Sequence, residues 1–71
     1  MRYAIVLERG PTSYGAYVPD LPGCVAAAET REETLALIRD AIGFHLEELR
    51  QDGVAVPKPL STAEYVEVAT G

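Results

Sequence analysis

One cysteine and one histidine are too few to build a disulfide or a zinc site. Cys24 has no partner thiol, and His45 adds a single further soft ligand, so a reducing compartment is the expected setting. Basic residues are scarce as well. Arg2, Arg9, Arg31, Arg39, Arg50 and Lys58 are scattered, which argues against a chain that grips nucleic-acid phosphates. No run of about eighteen apolar residues occurs, and no basic leader precedes an apolar stretch, so no membrane partner is expected and the predicted location is cytoplasmic. Phosphate-cradling glycine loops, paired zinc ligands and dinucleotide fingerprints are all missing, and neither a cofactor nor a metal is expected.

What is present fits one small folded unit spanning residues 1–71. With 48% hydrophobic and 24% charged residues the composition is that of a globular chain, close to the lower size limit for an independent core. Surplus apolar residues in so short a chain predict a homodimer or larger homo-oligomer. The net charge of −5 suits a basic partner, and it also serves simple solubility.

The residues from Arg2 to Arg9 are rich in β-branched and aromatic side chains and are apolar in both phases, as in a strand buried on two faces. Gly10-Pro11-Thr12-Ser13 is turn chemistry, and a second strand from Tyr14 to Val18 closes an antiparallel hairpin. Next comes Val18-Pro19-Asp20-Leu21-Pro22-Gly23-Cys24. Each proline fixes its own φ and holds the residue before it extended. Leu21-Pro22-Gly23-Cys24 reads as a type II turn, with Pro at the first central position and Gly accepting positive φ at the second. The third strand, Cys24 to Ala28, has small side chains that let a neighbouring element approach closely.

Thr30 and Glu33 form a predicted capping box, in which the hydroxyl takes the Glu33 amide and the carboxylate returns to the Thr30 amide. Leu35, Ile38, Ala41, Ile42, His45, Leu46 and Leu49 then draw one apolar stripe along a helix of about twenty-two residues. Gly53 and Val54 supply the residues of a Schellman stop, with Pro57 and Pro59 beyond it. Gly43 sits near the edge of the stripe, where close packing is the favoured explanation. Thr62 to Ala69 alternates Tyr65 and Glu67 with Val66 and Val68, a half-buried last strand.

These elements predict an α+β domain with the order β-β-β-α-β. A right-handed crossover through the helix returns the last strand parallel to the first, giving a mostly antiparallel four-stranded sheet with the first strand in the middle. One helix about 10 Å wide covers one face of such a sheet, leaving the other wet or covered by another chain.

None of the eleven acidic residues falls into a pattern that would converge on a metal: Glu32, Glu33, Glu47 and Glu48 lie off the helix stripe and Glu67 alternates with valines. His45 belongs to the packed stripe, and Cys24 reads as a small buried apolar residue. No catalytic residue is assigned and an enzyme is not expected. The proline corner keeps two readings open, a tight turn alone or a preformed contact surface, and the residues assigned to partner binding are Tyr17, Pro19, Asp20, Leu21, Pro22 and Gly23.

The series formed by Tyr14 to Val18, Pro19 to Cys24, Thr30 to Glu33 and Pro57 to Pro59 resembles the HicB-like antitoxin family over nearly the whole chain. The resemblance implies a partial ribonuclease-H-like fold and an antitoxin role, binding and neutralising a small basic HicA-like mRNA-cleaving toxin. Family members often carry an added DNA-binding segment. This chain ends at Gly71 without one, so no direct nucleic-acid binding is expected of it. Two alternatives from other classes are an orphan regulatory or small-ligand-binding module and a ribonuclease-H-like hydrolase remnant.

Overall fold

The computed structural model describes residues 1–70; Gly71, the last residue of the expected domain, lies outside them. Three strands, β1 (Val6–Arg9), β2 (Tyr14–Tyr17) and β3 (Val25–Ala28), precede one helix, α1 (Arg31–Gln51). The sheet is antiparallel with β2 in the middle. Cross-strand rows alternate between its faces: Leu7, Ala16 and Ala26 face the helix, and Val6, Tyr17 and Val25 face away.

This differs from the expected four-stranded sheet. Residues 62–70 form no strand and pair with nothing, so β1 is an edge strand instead of the centre. The short length of β1 has a local cause. Its ladder stops at Val6 and Tyr17: Val18 turns its amide to the Cys24 carbonyl at 3.2 Å on the β3 side, and Pro19, the next residue that would face β1, has no N–H to donate. Residues from Tyr3 to Leu7 are accordingly half-buried instead of enclosed on both faces.

α1 packs on β3 and β2, where the small helix-facing side chains of Ala16, Ala26 and Ala28 admit it. The core consists of Ala16, Val18, Leu21, Cys24 and Ile38, flanked by Tyr3, Ile5, Leu7, Ala26, Ala41, Ile42 and Leu46. Of the predicted stripe, Ile38 is buried and the other members are half-buried. Thr34 is fully buried beside them, a position that apolar periodicity does not mark. Its hydroxyl donates to the Thr30 carbonyl at 2.8 Å, which satisfies the buried oxygen within its own helix.

Both helix ends form as the sequence predicts, with one change. The Glu33 amide donates to Thr30 Oγ1 at 3.1 Å, but the Glu33 carboxylate accepts from the Thr30 hydroxyl at 3.0 Å and not from the Thr30 amide. At the other end Gly53, at φ +71°, donates to the Arg50 carbonyl, and Val54 donates to Leu49 at 2.9 Å, the paired bonds of a Schellman motif.

Gly43 is exposed, and a Cβ placed there meets nothing within 4 Å, which corrects the close-packing explanation. Gly43→Ala is therefore expected to raise stability by about 0.5–1 kcal/mol through helix propensity alone, read as a higher urea midpoint.

Candidate functional site: the proline corner and its clamp

The corner from Val18 to Cys24 is closed by three main-chain hydrogen bonds. Two belong to Val18, and the third runs from the Cys24 amide to the Leu21 carbonyl at 3.1 Å. With Gly23 at φ +84°, this last bond completes the predicted type II turn. Val18, Leu21 and Cys24 all enter the core, with Leu21 only 1% exposed. Pro19, Pro22 and Gly23 stay outside.

Asp20 points back across the molecule. Its Oδ2 accepts from the amides of Leu60 at 2.9 Å and Ser61 at 2.8 Å, and its Oδ1 accepts from the Ser61 hydroxyl at 2.8 Å. Both oxygens of one carboxylate thus hold the chain beyond the helix, and the Tyr3 hydroxyl supports this by donating to the Pro57 carbonyl. Sequence reasoning missed the clamp because the partners lie 40 and 41 residues apart. The remaining signal is only suggestive: an aspartate held between two prolines, and a serine soon after Pro57-Lys58-Pro59.

The hydrogen bonds from the Ser61 amide and hydroxyl lower the pKa of Asp20 below its ordinary 3.8; desolvation opposes them, and the Leu60 amide adds to the lowering. A pKa lowered by folding means stability that is fully present above the ordinary value and lost as pH falls through the lowered one. Asp20→Asn is expected to remove that share of the acid dependence and to speed exchange of the Leu60 and Ser61 amides at neutral pH. Hydrogen exchange by NMR at neutral and strongly acidic pH reads both effects.

Of the six residues assigned to partner binding, the structure places Tyr17, Pro19, Pro22 and Gly23 outward, turns the Asp20 carboxylate to the chain beyond the helix and buries Leu21. Tyr17 is 41% exposed and lies in register between Val6 and Val25, the latter 64% exposed, so the corner continues into an apolar row on the open sheet face. Burial pushes the Cys24 thiol pKa up, which favours the inert protonated form. Among the described residues no three His, Cys, Asp or Glu side chains gather as metal ligands, and no helix is long and apolar enough to cross a membrane.

A second surface lies beside β1. Ile5 and Leu7 form one wall of an open groove of about 620 Å³, with Leu35 of α1 and the chain from Ala63 to Tyr65 around it. It adjoins a second groove of about 470 Å³ that shares Ile5 and Leu35 and is lined also by Ile38 and Ile42.

The fold and the clamped corner define a small α+β domain whose most specific local device is a rigid, internally braced turn. Comparison with described protein families matches residues 3–69 to the HicB-like antitoxin of bacterial toxin-antitoxin systems. The chain is 35% identical over 66 residues to an uncharacterised 14.9 kDa protein from the rep-hol intergenic region of Haemophilus phage HP1, covering 93% of this chain and 50% of that one. It is 33% identical over 69 residues to Antitoxin HicB 2 of Photorhabdus laumondii, covering 96% and 50%, and 37% identical over 65 residues to a UPF0150 protein of Helicobacter pylori, covering 90% of each. The chain belongs to the HicB-like antitoxin family. It spans about half the length of the phage and Photorhabdus relatives.

Proposed function

We infer that this chain is an antitoxin-like protein-interaction domain that binds and neutralises a small basic HicA-like ribonuclease toxin. The observation that carries the reading is the family match over residues 3–69, which includes the corner. A net charge of −5 adds complementarity to a basic RNA-cleaving partner. In this reading the domain works in the cytoplasm as a homo-oligomer, without catalysis of its own. Its fold is a partial ribonuclease-H-like one, completed when residues 62–69 join the sheet as a fourth strand.

The contact surface is the corner. Tyr17, Pro19, Pro22 and Gly23 face outward, while Asp20 and Leu21 hold them in place from beneath. Rigid presentation favours binding because little conformational entropy remains to be lost. Tyr17 is the natural anchor, since aromatic residues carry a disproportionate share of interface energy.

Coexpression with the small basic protein encoded beside it tests this. The two should copurify, and Tyr17→Asp with Val25→Asp should weaken the complex by about a hundred-fold with little change in melting of the free protein. A complex of unchanged affinity would move the contact surface elsewhere, and no complex at all would remove the toxin from the reading.

A further inference from the structure

We propose that residues 62–69 are an exchange strand: in a symmetric pair, this segment of each copy pairs with the open edge of β1 in the other and covers its adjoining apolar grooves. The segment alternates like a strand, yet Tyr65 is 101%, Val66 79% and Val68 75% exposed. Fully extended, it spans roughly 26 Å. The radius of gyration of 14.3 Å exceeds the roughly 11 Å of a compact chain of this length, and the longest extent is 52 Å. An apolar strand standing in solvent and an unpaired sheet edge are each an unfilled half of one ladder.

The same chain does not close this gap. Ala63 to Tyr65 border the groove beside Ile5 and Leu7, but among the described residues no main-chain hydrogen bond joins residues 62–70 to β1. The Asp20 clamp fixes Leu60 and Ser61, the chain from Pro59 to Tyr65 borders open space beside Arg2 to Leu7 of its own copy, and Tyr65, Val66 and Val68 stand exposed. Charge favours a second copy as the occupant. Arg31 lines the first groove, and Arg2 and Arg39 line the second. None of the three has an ion-pair partner among the described residues, where the one pair is Glu47 with Arg50. The segment carries Glu64, which already borders the first groove of its own chain, and Glu67, whose charge a second copy brings to the basic edge of the partner's groove. Two-fold symmetry uses each of these contacts twice, and exchange adds apolar burial to a core with five buried apolar residues among those described.

The proposal concerns the homo-oligomer alone and does not depend on any toxin, so toxin capture and self-association are measured separately. Sedimentation of the full chain at tens of micromolar should show a dimer or a multiple of it. In a mixture of isotope-labelled and unlabelled chains, intermolecular NOEs should connect the Val66 and Val68 methyls with Ile5, Leu7 or Leu35. Val66→Asp with Val68→Asp should weaken association by about a hundred-fold or more, since four buried valines are lost per dimer. Its circular dichroism should keep the helix, because both side chains are exposed in the single chain. A monomer, a dimer whose Val66 and Val68 give NOEs only within their own chain, or a dimer joined through Val6, Tyr17 and Val25 would each overturn the proposal.

Discussion

Replacing Leu21 by alanine is expected to leave the chain largely unfolded at room temperature. Leu21 is 1% exposed and is the corner's deepest side chain, packed in a core whose other buried apolar members are Ala16, Val18, Cys24 and Ile38. Truncating a buried leucine costs about 2–5 kcal/mol, and a domain of this size seldom has more than about 3–5 kcal/mol in hand. Urea unfolding followed by circular dichroism should show no folded baseline, with Ile38→Ala behaving alike. Pro22→Ala at the exposed tip of the same turn should keep a cooperative transition. If Leu21→Ala unfolds with a midpoint close to that of the unaltered chain, the corner is not anchored through the core.

Gly23→Val should be the next most damaging change, at about 1–3 kcal/mol, and its cause is backbone and not contact. A Cβ at Gly23 meets nothing within 4 Å, but φ is +84°, a region that β-branched residues strongly avoid. Gly43 also has open space around it and has no positive φ, so alanine there should stabilise. Opposite signs at two equally uncrowded glycines separate conformational strain from steric fit. Equal effects at both positions, in urea midpoint, would contradict that separation.

What was legible in the sequence was local. The type II turn, the Thr30 cap, the length of α1 and the Schellman stop each rest on residues within a few positions of one another, and each forms. The corner's role as a brace was not legible, because Asp20 meets Leu60 and Ser61 only after the chain has folded back. Thr34 escaped because its burial depends on an i−4 hydrogen bond that makes a polar residue acceptable inside. The fourth strand shows the limit most clearly. Alternation in residues 62–69 reports what a strand would bury, but a ladder also needs an edge in reach, and residue pattern does not say whether that edge lies in the same chain.

Within the corner, the sequence did not show how the labour is divided. Val18-Pro19-Asp20-Leu21-Pro22-Gly23-Cys24 reads uniformly as a rigid loop, whereas the structure sends Leu21 inward, turns Asp20 to the chain beyond the helix and leaves Pro19, Pro22 and Gly23 outside. Rigidity alone does not tell a docking edge from a tight turn, since the two have the same local chemistry.

The central claim, that this domain neutralises a small basic ribonuclease, is tested most directly by RNA cleavage. The basic protein encoded beside this chain is incubated with messenger RNA while the purified chain is titrated in. The account predicts cleavage that falls to zero at a fixed stoichiometric ratio, and a Tyr17→Asp, Val25→Asp variant that needs far more protein to reach the same point. Cleavage that continues unchanged at a large excess of the folded chain would contradict it.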